Sequence, residues 1–206
     1  MSAGERWVLA SGNPGKLREL KALLEAEVPG IAVVAQSDLG VSPAPETAIT
    51  FVANALLKAR HAARQTRCPA IADDSGLAVA ALGGAPGVRS ARFAGPDAAD
   101  GANVAKLLQA LHAVPAGGRA ACFHCVLVAI RSDSDPAPLI ASGEWHGEIA
   151  LAPAGAGGFG YDPVFFDPRL GMTAAQLPPA VKNRVSHRAQ ALRGLAAAFA
   201  AWRGAR

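Results

Sequence analysis

Ala70-Ile71-Ala72-Asp73-Asp74-Ser75-Gly76 is a short apolar run that ends in two adjacent carboxylates, a hydroxyl and a glycine. A short apolar run bounded by turn residues reads as a buried strand. Where such a strand ends at the edge of an α/β sheet, its polar side chains face the crevice in which ligands bind. Hard carboxylate oxygens in that position suit Mg²⁺, and Mg²⁺ suits phosphates. The same residues also fit an Asx-turn that does no more than close a strand. The choice between the two rests on the rest of the chain.

Upstream of this run, Trp7 to Ala10 reads as a first strand. Gly15 to Val28 reads as a helix with Leu17, Leu20, Leu23 and Leu24 on one face, and Ile31 to Ala35 as a short second strand. A long helix is predicted after Pro45, over Ile49 to Gln65, with Phe51, Ala55, Leu56, Ala59 and Ala62 as its buried stripe. Downstream, Leu77 to Leu82 reads as a separate strand, and Asn103 to His112 as a helix through Val104, Leu107, Leu108 and Leu111. Ala120 to Arg131 and Leu139 to Ile149 read as a long hairpin turning at Asp133 to Pro138. Thr173 and Gln176 have capping-box spacing, and Ser186 is placed to cap a last helix carrying Leu192, Leu195, Phe199 and Trp202. Helices alternate with strands in the first half and a hairpin dominates the second. The fold class is therefore α/β, with a mixed, twisted central sheet and helices on both faces.

A chain of 206 residues, 51% hydrophobic and 17% charged, is long enough for one domain with a sizeable core and has the composition of an ordered globular protein. Its net charge of +4 and pI of 9.3 admit small polyanions as ligands. Scattered Lys and Arg with only 5% aromatics argue against a nucleic-acid surface. Glu5 and Arg6 precede too short an apolar segment for a signal peptide, and no stretch approaches the roughly 20 apolar residues of a membrane span. The expected location is cytoplasmic, without a membrane partner. Cys68, Cys122 and Cys125 are an odd number without an export signal, so structural disulfides are not expected. Cys122 and Cys125 have Cys-x-x-Cys spacing but fall in a predicted strand, where positions three apart face opposite ways and cannot share a metal. His124, between them, is expected to pack in the core or between lobes.

Ser11-Gly12-Asn13-Pro14-Gly15-Lys16 follows the first strand and opens the first helix. Backbone N–H groups at a helix N-terminus, with a lysine, make a phosphate cradle. The Walker A spacing is absent, which excludes a P-loop kinase or GTPase reading. Beside a carboxylate pair at a neighbouring strand end, this turn points to a triphosphate with magnesium. Glycine-rich loops at 83–87 and 152–163 let backbone approach a ligand closely, the second with Phe159, Tyr161 and Asp162 among its glycines.

Taken together, these segments resemble the inosine triphosphate pyrophosphatase family. The match runs through Ser11 to Lys16 with Glu19; Glu46-Thr47, Phe51, Asn54-Ala55 and Lys58-Ala59; Ala72 to Leu77; Gly84 to Val88 and Ser90 to Arg92; Gly157 to Pro163; and Lys182 with Ser186-His187-Arg188. Ala53 departs from the glutamate that many members carry there. The resemblance implies a single two-lobed domain over residues 1–206, with the active-site cleft between the lobes. It implies hydrolysis of ITP, dITP and XTP to the nucleoside monophosphate and pyrophosphate, removing them from the nucleotide pool. It also implies a homodimer, to which Trp145, Phe165 and Phe166 are candidate contributors, though each fits a core equally well.

On this reading Asp74 is the metal ligand and general base, Glu46 is the second carboxylate of the Mg²⁺ site, and Asp73 supports or shares it. Ser11, Gly12, Asn13, Pro14, Gly15, Lys16 and Lys58 hold the triphosphate, and Ser75 contacts the phosphate or ribose. Phe159 stacks on the base, with Gly158, Gly160, Tyr161 and Asp162 shaping its pocket. Lys182, His187 and Arg188 donate to the 6-oxo group that adenine lacks. Two other classes remain open: a nucleotide or nucleic-acid binding module without chemistry, and a metal-dependent phosphatase with a different substrate, such as a nucleotide or sugar monophosphate. The phosphate product distinguishes all three.

Overall fold

The computed structural model describes residues 6–204; Glu5, used above, lies outside them. The strands are β1 (Arg6–Ala10), β2 (Ala32–Ala35), β3 (Ala70–Val79), β4 (Ala120–Ile130), β5 (Leu139–Ile149), β6 (Phe165–Asp167) and β7 (Met172–Thr173). The α-helices are α1 (Pro14–Glu27), α2 (Phe51–Thr66), α3 (Asp100–Ala110), α4 (Pro179–Val185) and α5 (His187–Gly204). Hydrogen bonding orders the strands β2-β1-β3-β4-β5-β6-β7. β1 is parallel to both β2 and β3, whereas β5, β6 and β7 pair antiparallel, so the sheet is mixed. The chain divides into two compact units. The first comprises the residues up to Asp74, Cys125–Gly143 and the residues from Arg188 on; the second comprises Ser75–His124 and Glu144–His187.

In the first unit the period of two along each strand sends alternate side chains into two different cores. Trp7, Leu9, Ile71, Leu127 and Ala129 pack with Leu20 and Leu24 of α1 and with Leu192, Leu195 and Phe199 of α5. Val8, Ala10, Ala70, Ala72, Val128 and Ile130 pack with Ala55, Ala59, Ala62 and Ala63 of α2. Burial on both faces is why these strands read as unbroken apolar runs. Small alanines on α2 let that helix lie close to the sheet, and Thr50 starts it by accepting the Ala53 N–H at 3.3 Å.

The second unit has one core, built from Leu77 and Val79 of β3, Val104, Leu107 and Leu111 of α3, Phe123, Trp145, Ile149, Tyr161 and Phe165. Burial alternates along β4 and β5 here, so Cys122, His124, Glu144 and His146 fall on the face outside that core. The expectation of helices on both faces thus describes the first unit more closely than the second. Trp145 and Phe165 are fully buried, which removes them as candidates for a dimer contact.

Two local expectations are corrected. Ala70–Val79 is one continuous strand, because Ser75 and Gly76 stay extended and no turn forms between the runs; residues Ala80–Leu82 form a 3₁₀ turn instead. Thr173 does not begin a helix. Its N–H donates to Gln176 Oε1 at 2.9 Å, one half of a capping box, but the Gln176 N–H returns to the Thr173 backbone carbonyl at 3.0 Å rather than to the hydroxyl, closing a turn after β7. Helix α4 starts later, at Pro179, where proline is favoured as a first helical residue.

Candidate active site

Asp73 and Asp74 are adjacent on β3, so the strand's alternation sends them to opposite faces, where each pairs directly with a different lysine. Asp73 lies on the side of α1, with its Oδ2 3.1 Å from Lys16 Nζ. Asp74 lies on the side of α2, with Oδ1 2.8 Å from Lys58 Nζ and Oδ2 accepting from Asn54 Nδ2 at 3.3 Å. Lys58 also reaches Glu46 Oε1 at 3.1 Å, so one ammonium joins the two carboxylates expected to act together. Asp73 and Asp74 both lie in the field of Lys58 even so, which accords with the expectation that Asp73 supports the site.

The two carboxylates differ electrostatically for the same reason. Burial works to raise the Asp73 pKa, but Lys16, Lys58 and Arg188 outweigh it and hold the group at about 2. For Asp74 burial wins over Lys58 and the value stays above the ordinary one. Burial would lower the Lys58 pKa, but Asp73, Asp74 and Glu46 hold it above its usual value, so Lys58 is charged at neutral pH. Asn54 was not singled out from the sequence as a site residue. Its Oδ1 accepts the Ala48 N–H at 2.9 Å and its Nδ2 donates to the Ala48 carbonyl at 3.3 Å, tying the segment after Glu46 to the carboxylate of Asp74. An asparagine fully buried in an otherwise alanine-rich helix face is the pattern that marks it.

The phosphate-cradle turn is capped from within. Asn13 Oδ1 accepts the Lys16 N–H at 3.0 Å, the Asn13 N–H donates to Ser11 Oγ at 3.3 Å, and Pro14 begins α1. Gly12 is required by a close approach, since a Cβ there would come within 2.9 Å of Pro43 Cγ. Gly15 opens the first turn and Lys16 reaches back to Asp73. Also in this unit, Arg188 is buried and its Nη1 pairs with Glu19 Oε2 at 2.5 Å. Glu19 carried no role in the sequence reading.

The second unit holds the remaining candidates. Ser75 continues β3, half-buried. Gly158, at φ +74°, begins a tight loop whose Asp162 Oδ2 accepts the Phe159 N–H at 2.9 Å and pairs with Lys182 Nζ at 2.6 Å. A Cβ on Gly158 would collide with that carboxylate oxygen. The Gly160 N–H donates to Asp100 Oδ2 at 2.7 Å, which anchors the loop to the first turn of α3. Tyr161 is buried and donates its hydroxyl to the Ser90 carbonyl at 2.9 Å, so it supports the loop from below. Lys182 Nζ lies 5.2 Å from the centre of the half-buried Phe159 ring, a cation–π arrangement. His187 is buried and stacks on Phe123 with centroids 4.7 Å apart and planes 9° apart, which fixes its ring.

An α/β protein with a buried carboxylate and lysine cluster in one unit, and a glycine-rich loop with a partly exposed aromatic ring and a lysine in the other, has the groups needed for a polyanion and for a flat ring. The chain belongs to the Ham1 family, whose profile matches residues 7–198. It is 61% identical over 189 residues to a dITP/XTP pyrophosphatase of Yersinia pseudotuberculosis, spanning 92% of this chain and 95% of that one. It is 60% identical over 185 residues to a dITP/XTP pyrophosphatase of Erwinia tasmaniensis, spanning 90% and 89%. Among solved structures, a HAM1 protein from Coxiella burnetii superposes with a TM-score of 0.87 at 49% identity, covering 96% of this chain and 99% of that one. A nucleoside-triphosphatase / dITP/XTP pyrophosphatase from Mycobacterium abscessus gives 0.74 at 42% identity, covering 92% and 98%.

Proposed function

We propose that this protein hydrolyses dITP, XTP and ITP to the nucleoside monophosphate and pyrophosphate. The observation that carries the reading is the cluster of Glu46, Lys58, Asn54 and Asp74, present in a chain about 60% identical to proteins named for that activity. A binding module has no need of a buried carboxylate whose pKa is raised, or of an asparagine that fixes its rotamer.

Asp74 is the base that takes the proton of the attacking water. The water oxygen bonds to the α-phosphorus, the bridging P–O bond to the β-phosphate breaks, and pyrophosphate leaves. Lys58 and Lys16 hold phosphate oxygens by exchanging one carboxylate partner each for the substrate, and Asn13 contributes its Nδ2. Glu46 and Asp74 already converge on one cation, a hard-oxygen donor set that fits Mg²⁺. They would hold the ion, which supplies charge neutralisation for the polyphosphate when bound.

Asp73, kept ionised, fixes Lys16. In the second unit Phe159 stacks on the base, while Lys182 and the pinned His187 present donors to the 6-oxo group, leaving an adenine amino group unmatched. Arg188, in the first unit, is engaged with Glu19 and lies in the field of Asp73. No helix among the described residues is long and apolar enough to cross a membrane. Action on free nucleotides fits a cytoplasmic enzyme, and the family resemblance adds a homodimer.

The deciding experiment supplies Mg²⁺ with ITP, dITP, XTP, GTP or ATP in turn and identifies the phosphate released. Pyrophosphate from the first three, with little from GTP or ATP, is the expected result; orthophosphate would overturn the reading. Phe159→Ala is expected to raise KM for XTP roughly ten- to a hundredfold, the size of one lost base-stacking contact. Because the ring is half-buried, its melting temperature should stay near that of wild type. Steady-state kinetics beside a thermal melt checks both, and an unchanged KM would remove Phe159 from base recognition.

A further inference from the structure

The solvent-facing side of the second unit's strand pair carries four chemically reactive side chains where β-formers would serve packing better. Cys122 and His124 sit two apart on β4, and Glu144 and His146 two apart on β5, so each pair shares one face. Among the described residues, Cys122, Glu144 and His146 form the one group of three or more His, Cys, Asp or Glu side chains whose donor atoms all lie within 4.8 Å of one another. Glu144 is held from two sides, its Oε1 3.3 Å from His124 Nδ1 and its Oε2 3.3 Å from His146 Nε2.

We propose that Cys122, Glu144 and His146 form a Zn²⁺ site that clips β4 to β5, with His124 orienting the Glu144 carboxylate and water completing the tetrahedron. Thiolate, imidazole and one carboxylate are the ligand types of zinc, and the sulfur disfavours Mg²⁺. Bond lengths to zinc imply ligand–ligand edges of roughly 3.3–3.8 Å in a tetrahedron. The Glu144 to His146 separation already falls in that range, so closing the site needs about 1 Å of side-chain movement, mostly of Cys122. The carboxylate that a neighbouring histidine steadies repeats a common arrangement around metal ligands. These three ligands do not include the second cysteine of the Cys-x-x-Cys spacing: Cys125 is fully buried in the core of the first unit. The site is also distinct from Glu46 and Asp74, which offer oxygen alone.

The test titrates Zn²⁺, and separately Co²⁺, into the full chain after chelator treatment, without nucleotide. Expected are one Zn²⁺ per chain at micromolar affinity and a thiolate-to-cobalt charge-transfer band. At a hundredfold excess over Kd the melting temperature should rise by roughly 5–11 °C. Cys122→Ser should abolish the cobalt band and His146→Ala should weaken Zn²⁺ at least about tenfold, while Cys68→Ser changes neither. His146 has 75% of its side-chain surface exposed, so its variant folds whatever becomes of Cys122. Absence of Zn²⁺ binding, or wild-type affinity in both Cys122→Ser and His146→Ala, would overturn the proposal. These readouts are independent of nucleotide hydrolysis, so failure of one reading leaves the other standing.

Discussion

Asp74→Asn is expected to lower kcat for dITP and XTP by at least about a hundredfold while the protein still folds, because a positioned general base contributes on that scale. The substitution keeps the side chain's volume in a site that is 4% exposed, so packing is preserved. Its amide oxygen can still accept from Lys58, but its NH₂ then faces the Nδ2 of Asn54, a donor that already serves the Ala48 carbonyl. One buried donor is left poorly matched, at a cost of about 1–3 kcal/mol. A fall in melting temperature of a few degrees should therefore accompany the loss of rate. The informative readout is kcat at a temperature where both proteins are folded. Turnover within threefold of wild type would remove Asp74 from the chemistry and reopen the choice between the two aspartates. Asn54→Ala is the companion measurement: it removes the carboxylate's positioning without its charge, so its kcat should fall less than that of Asp74→Asn.

Much of the first unit was legible in the chain because its signals are local. The apolar run of β1, the leucine stripe of α1 and the alanine stripe of α2 each report a periodicity, and each of these elements lies where that periodicity puts it within a few residues, while β3 starts where its apolar run starts but continues past Asp73 to Val79. The division of Asp73 and Asp74 between the two faces of β3 follows from the same rule of alternation that separates Cys122 from Cys125. What was not legible is long-range. Nothing in the sequence pairs Glu19 with Arg188, or Gly160 with Asp100, since such contacts depend on how distant elements meet. The turn at Thr173 shows the converse: the Gln176 side chain makes its half of the expected capping box, but the segment that follows leads only later into Pro179 and no helix grows from Thr173.

Asp73→Asn should separate the roles of the two carboxylates most sharply, because its main effect falls on stability. Asp73 is fully buried, and its charge answers Lys16, Lys58 and Arg188 together. Removing it leaves buried cations without their counter-charge, and breaking such a pair costs about 3 kcal/mol. For a chain of this size that is a fall of roughly 6–12 °C in melting temperature at pH 7. The pH dependence carries the same argument with a definite sign. A carboxyl held at about 2 in the folded protein, against an ordinary 3.8, stabilises the fold by about 2 kcal/mol wherever it is ionised in both states. That contribution is complete above the unfolded value and is lost as pH falls through the folded one. Wild type and variant should therefore converge between roughly pH 4 and pH 2. Melts in the presence of a chelator isolate this effect from any bound ion. At a permissive temperature the variant should keep at least about a tenth of wild-type kcat, since its loss acts through the placement of Lys16 rather than through proton transfer, which is worth more. A melting temperature unchanged at pH 7 would mean that the three cations do not depend on Asp73. A kcat as low as that of Asp74→Asn would mean that the two carboxylates act as one unit despite facing opposite sides of β3.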